Sequence, residues 1–305
     1  MKKTTYIAIA ILFISSGVKN LTKNKGNTYF ALSSIYFDSA RYDSCCYAFQ
    51  KAIGNQAYNA YNPYSVYKYV YAAAMSNEKQ LLTEALQHAK CVGIGAEDIE
   101  ANNLLQTNKD SILKYYHQTQ TPKSYFFQVD SALLLELQEM KKFDQTRRSV
   151  KPTYPIDSAN LVHLKKIIAE KGFPNQKTVG YKGMFNVYLI LQHCYVGIPN
   201  EQGWIIETVK KQIDAGWYDP HEYAVFIDRA LAYKEGEIIY GTLLHRNDSV
   251  YTSYPTKNLQ NVDYLRKELG IVPLSNYLST NKAIAPVGYK PIDFRILFKK
   301  EIRKL

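Results

Sequence analysis

The stretch MFNVYLILQH, residues 184–193, decides how this chain folds. Met184, Phe185, Val187, Tyr188, Leu189, Ile190 and Leu191 leave a helix no polar side, and a helix apolar all round belongs at the centre of a helical domain. Gln192 and His193 close that helix, so both are expected to be enclosed. Other polar pairs sit in segments equally patterned for burial: Asp144-Gln145 with Arg147-Arg148, Asp228-Arg229, and Tyr240-Gly241-Thr242. A buried polar group left without a partner costs about 1 to 3 kcal/mol. These groups must satisfy one another or a ligand, which makes residues 144–242 the region to search for a site.

Upstream of the central helix, Leu133, Leu137 and Met140 repeat at i, i+4 and i+7. At about 100° per residue Asp144 returns to their face, and Arg148 follows one turn later, where it can pair with Asp144. Arg147 is then left to clamp an anion. The next helix is expected to start on Asp157 as its N-cap, to bury Leu161, Leu164 and Ile168, and to end at Gly172 before Phe173-Pro174. His163 falls on its solvent side.

Downstream, Trp204, Ile205, Val209 and Ile213 mark a helix ending at Gly216. Asp219-Pro220-His221-Glu222 then supplies a cap, a proline at N1 and a glutamate at N3 for another helix. Its inward face is Tyr223, Ile227, Ala230 and Leu231, with Asp228 at the rim and Arg229 opposite. His221-Glu222 lacks the second histidine of a zinc-protease helix, so neither a metal nor a cofactor is expected. Residues 238–244, a turn at 246–249 and residues 250–254 are patterned as a β-hairpin. Gly241 within it signals a bulge or a close backbone approach. Val262, Leu265 and Leu269 with Gly270, then residues 273–278, give two last helices.

In the first half, Tyr29, Leu32, Ser33 and Tyr36 followed by Tyr42, Cys45, Phe49 and Ala52 pair large residues on one helix with small ones on the next. This resembles one tetratricopeptide repeat. Tyr64, Tyr67, Tyr71 and Ala72 with Leu82, Ala85, Leu86 and Ala89 fit a second repeat, and residues 96–117 a degenerate third. The resemblance implies either a concave surface for another protein's segment or a structural lead-in to the next domain.

The expected organisation is mainly α: a signal peptide at 1–17, a tetratricopeptide-like α-hairpin array at 27–120, an α-helical domain with one small β-hairpin at 124–280, and a basic tail at 281–305. Lys2-Lys3, an apolar run over residues 6–14 and Ser15-Ser16-Gly17 have the form of an export signal. The run is shorter than the roughly 20 residues a membrane span needs, so the chain is expected to be exported, periplasmic or extracellular, with no membrane span. The four cysteines lack metal-type spacing and are expected to be small core residues, a pairing of Cys91 with Cys45 or Cys46 being the alternative. The formal charge is +11, or +9 without Lys2 and Lys3. Its lysines are scattered along amphipathic helices and cluster only at Lys299-Lys300 with Arg303-Lys304. That is a solvated basic face and tail rather than a nucleic-acid surface.

The ordered set Asp144-Gln145, Arg148, Gly172-Phe173-Pro174, Val179-Gly180, Gln192-His193, Asp228-Arg229, Tyr240-Gly241-Thr242 and Leu269-Gly270 with Pro273-Leu274 resembles the bacterial domain of unknown function 6624. The resemblance covers about 150 residues and implies no particular reaction. The chain departs from it at Leu243, where glutamine is typical, and at Phe173, where tryptophan is.

The chemistry these residue types suggest is hydrolytic. His193 is the side chain suited to proton transfer near neutral pH and is expected to act as general base, oriented by Asp228. Gln192 would hydrogen-bond substrate, and Asp144 with Arg147 or Arg148 would hold a small anionic ligand. Tyr240 and Thr242 complete the candidate substrate contacts. No serine or cysteine stands in a nucleophile elbow, so water would attack. This reading expects Asp144, Gln192, His193 and Asp228 to converge on one cavity. The alternative is an interaction module, in which the helical array binds a protein segment and the second domain is a support or a non-catalytic ligand-binding domain.

Overall fold

The computed structural model describes residues 24–120, 126–148, 154–247 and 250–305. The expected export segment, 1–17, lies outside the described residues, as does the side chain of Arg147. The fold is mainly α with one small sheet. No described helix is long and apolar enough to cross a membrane.

The first half is built from helix pairs: α1 (Lys25–Asp38) with α2 (Tyr42–Gly54), then α3 (Pro63–Met75) with α4 (Lys79–Cys91). Two short helices, α5 (Ala96–Ala101) and α6 (Lys109–Gln118), follow. In the first pair the buried residues include Tyr29, Leu32, Tyr36, Cys45, Phe49 and Ala52, as the periodicity predicts. In the second pair the expected tyrosine stripe is one step off the core. Val66, Tyr69, Val70 and Ala73 point inward at i, i+3, i+4 and i+7, while Tyr64 is 67% exposed and Tyr67 and Tyr71 are only partly buried. Small and β-branched residues let α3 approach its neighbours closely, and the longer tyrosines flank that stripe. All four cysteines are free thiols; Cys45, Cys46 and Cys194 are buried and Cys91 is half-buried.

The second half centres on α9 (Gln176–Gly197), interrupted at Gly180. Around it pack α7 (Ser131–Arg147), α8 (Tyr154–Lys171), α10 (Gln202–Asp214) and α11 (Pro220–Glu235). Met184, Val187, Ile190 and Leu191 are buried against Leu133, Leu137, Met140, Leu161 and Leu164. The helix is central but not enclosed all round, since Phe185 is 44% exposed.

The sheet differs from the expected hairpin. β1 (Leu244–Asn247) pairs antiparallel with β2 (Val250–Ser253), and β3 (Ala283–Ile284) adds parallel to β2. The strand does not begin at 238, because Ile239, Tyr240 and Thr242 spend their backbone donors on Asp228 instead of a ladder. Gly241 is a close approach and no bulge: its φ is +67°, and a Cβ there would fall 2.8 Å from a Leu274 methyl. After α12 (Val262–Leu269) and α13 (Leu274–Thr280), the chain returns to the first half through α14 (Phe294–Leu297) and α15 (Lys299–Ile302). Leu297 and Phe298 are buried in the first half's core. The basic residues of this stretch therefore decorate an anchored segment rather than a free tail.

Candidate functional site

The apolar stripe of α7 ends, as its periodicity predicts, in a buried carboxylate: Asp144 is 1% exposed. It gathers partners from its own helix end and from α9. Oδ2 accepts from Nδ1 of His193 on α9 at 2.9 Å and from Nε2 of Gln145 at 2.6 Å. Oδ1 accepts from Nη2 of Arg148 at 2.7 Å. The same Nη2 pairs with Oδ1 of Asp157 on α8. Asp157 is thus no N-cap. The helix starts earlier, at Tyr154, and carries Asp157 into the core at 1% exposure.

These contacts set the protonation of the group. Burial pushes Asp144 up, but the hydrogen bonds from His193 and Arg148 outweigh it and hold the carboxyl down to about 2. For Asp157 burial wins over Arg148, and its pKa is raised. An ionised Asp144 can only accept hydrogen bonds. Nδ1 of His193 therefore carries a proton, and in the neutral imidazole the lone pair then lies on Nε2. No described residue bonds Nε2, and the side chain is 22% exposed. Arg148 is already shared between two carboxylates, so it is not the anion clamp expected of it.

The remaining candidates lie elsewhere. Gln192 is buried, but it sits about 100° from His193 on α9 and turns to other partners. Its Nε2 donates to the Tyr188 hydroxyl at 2.9 Å, and its Oε1 accepts from Arg229 at 3.2 Å. Asp228 does not orient His193. It is 0% exposed and accepts from the backbone N–H groups of Ile239 (2.9 Å), Tyr240 (3.0 Å) and Thr242 (2.8 Å) and from the Thr242 hydroxyl (2.7 Å). Tyr240 and Thr242 are spent in the same clasp, not on substrate. The Tyr240 carbonyl accepts from Arg266 at 2.6 Å and the Thr242 carbonyl from the Tyr277 hydroxyl at 2.8 Å. The four residues expected to share one cavity are therefore divided: Asp144 with His193, Gln192 with Arg229, and Asp228 with the 239–242 loop.

The sequence pattern marks Asp157 only as a cap and gives Asn160 and Arg266 no role. The first two were detectable: they precede Leu161 and Leu164 by one turn each and so continue the inward stripe of α8. Asn160 is 4% exposed, and among the described residues neither its Nδ2 nor Oδ2 of Asp157 has a partner. Arg266 gave no local signal, since it is fully buried yet lies on a short amphipathic helix. His163 behaves as predicted, facing outward to Glu136 at 2.8 Å. Among the described residues no group of three or more His, Cys, Asp or Glu side chains is placed to hold a metal ion.

The fold and this network define a mainly α domain built around a buried Asp-Arg-Asp cluster that carries a histidine at its rim. Residues 129–285 match a family of unknown function, DUF6624, over just more than half of the chain, and the chain belongs to that family. No curated protein and no solved structure matches it.

Proposed function

We propose that the second domain is an exported hydrolytic enzyme in which His193 is the general base and Asp144, in place of Asp228, is its orienting carboxylate. The observation that carries the reading is the 2.9 Å contact between Nδ1 of His193 and Asp144, with no described residue bonded to Nε2 at the rim. A positioned imidazole of this kind takes a proton from water as the water attacks. Arg148 and Gln145 hold Asp144 in place, and Arg148 ties it to Asp157 on the next helix, so the imidazole's aim is fixed by three helices. Export rests on Lys2-Lys3 and the apolar run after them, and the helix pairs of the first half are read as tetratricopeptide-like from their large-small pattern.

The test is a panel of chromogenic esters, phosphoesters, amides and glycosides run on the full chain, on His193→Ala and on Asp144→Asn. One class should turn over. Loss of a general base should lower kcat about 10²- to 10⁴-fold in His193→Ala. Asp144→Asn should lower it as well, because an amide can present its NH2 to Nδ1 and reverse the tautomer. Equal turnover in wild type and His193→Ala would remove the catalytic reading.

A further inference from the structure

Buried polar atoms in folded proteins nearly always have partners. Among the described residues, several where the first half meets the second do not, and four of these are Oη of Tyr58, Oε1 of Gln176, Oη of Tyr218 and Oε2 of Glu222. Tyr58 comes from the turn after α2, Gln176 opens α9, and Tyr218 and Glu222 flank the start of α11. Tyr58, Gln176 and Tyr218 are each no more than 1% exposed. They belong to one neighbourhood. Nε2 of Gln176 donates to the Tyr58 carbonyl at 3.1 Å, and Nδ2 of Asn59 donates to Oδ1 of Asp219 at 3.1 Å. The charges of Asp219 and Glu222 act on the phenols of Tyr58, Tyr181, Tyr188 and Tyr218.

The chemistry of this pocket of groups is one-sided. Two carboxyl groups and an amide oxygen accept, while the free donors are two hydroxyls and the one proton the carboxyl pair keeps. Among the described residues no basic side chain is among the groups acting on Asp219, Glu222, Tyr58 or Tyr218, and Arg229 reaches the neighbourhood only at Tyr188. A buried carboxylate is normally paired with a cation or neutralised by a proton. Burial holds Glu222 well above the usual carboxyl range and pushes Asp219 up to about 6, so the pair keeps a proton where a counter-ion would otherwise stand. Glu222 is half-buried as a residue and the neighbouring Tyr181 is 43% exposed, so the rim of the seam lies at the surface.

We propose that this seam is a binding site for a small organic cation with an ammonium group, held by Glu222 and Asp219 and by the hydroxyls of Tyr58 and Tyr218. The ammonium supplies the missing donors and the missing charge, and the proton it displaces from the carboxyl pair leaves to solvent. The site needs both halves of the chain, since Tyr58 and Asn59 precede the family domain.

Calorimetric titration of the full chain at pH 7.5 with n-butylammonium chloride tests this, with sodium chloride and n-butanol as matched controls, in two buffers of different ionisation enthalpy. The expected result is a saturable heat for the ammonium alone that depends on the buffer, because a proton is released. Glu222→Gln should reduce it to the salt control. Tyr58→Phe removes only an unpartnered hydroxyl, so it keeps the fold and should weaken binding about three- to tenfold, the worth of one hydrogen bond. Heat in the wild type no different from sodium chloride, or binding unchanged in both variants, overturns the proposal.

Discussion

Replacing Asp228 by asparagine tests the largest departure from the sequence reading. Its two oxygens take four donors, two each, at 2.7 to 3.0 Å. An asparagine has one acceptor oxygen. If its NH2 faces Ile239 and Tyr240, two buried N–H donors are stranded; if it faces Thr242, the hydroxyl there can turn to accept and one is stranded. Each stranded donor costs about 1 to 3 kcal/mol. Against this, burial raises the pKa of Asp228 despite the four hydrogen bonds, so a neutral side chain recovers some desolvation. The net loss should be about 1 to 3 kcal/mol. Urea unfolding at pH 7 followed by circular dichroism would show it as a lower midpoint with unchanged slope. Thr242→Val, which removes one donor to the same carboxylate, should cost about 1 kcal/mol and be non-additive with Asp228→Asn, as expected for side chains in contact. Because Asp228 and His193 share no partner, Asp228→Asn and His193→Ala should add to within about 0.5 kcal/mol. A loss below about 1 kcal/mol, or strong coupling to His193, would refute the clasp.

Three further outcomes follow from the same geometry. Gly216 has φ +77°, and a Cβ there would fall 1.9 Å from the Gln56 carbonyl oxygen across the seam. Gly216→Ala should lose about 1 to 2 kcal/mol to the left-handed conformation and about 1 to 3 more to overpacking, read by chemical unfolding. Tyr218→Phe deletes a fully buried hydroxyl with no partner and should leave stability unchanged or slightly higher in a thermal melt; a loss above about 1 kcal/mol would mean the hydroxyl is hydrogen-bonded. Burial, and then the charge of Arg266, lowers the pKa of His221 from 6.5 to about 4. Between those values the unfolded chain binds more protons, so this residue makes stability fall as pH drops from 6.5 to 4. Asp219, raised to about 6, acts in the opposite sense, as its folded form holds the proton longer. His221→Gln should therefore leave a chain whose stability rises on acidification across this window, measured by urea midpoints at pH 6.5, 5 and 4.

Helix faces were legible because helical geometry is local. Leu133, Leu137, Met140 and Asp144 share a face by periodicity alone, and Asp144 and Arg148 meet because they are one turn apart. The cap at Asp219 was legible for the same reason, its side chain accepting from the His221 N–H at 2.8 Å. The tyrosines of α3 were misjudged because amphipathicity gives the direction of a stripe but not which of two adjacent stripes a neighbouring helix will pack against.

What the sequence determined unaided is therefore the mainly α character, the inward stripes of α1, α2 and α7, and the presence of more buried polar groups in the second half than local pairing can satisfy; on α8 the stripe takes Ile167 in place of the expected Ile168. What only tertiary structure decided is who answers whom. Asp144 takes His193 and, through Arg148, Asp157; Asp228 takes the 239–242 loop; Glu222 is carried to a seam beside Tyr58. Each pairing depends on how two helices or a loop and a helix cross in space, and a crossing is fixed by the packing of the whole core, which no window along the chain contains.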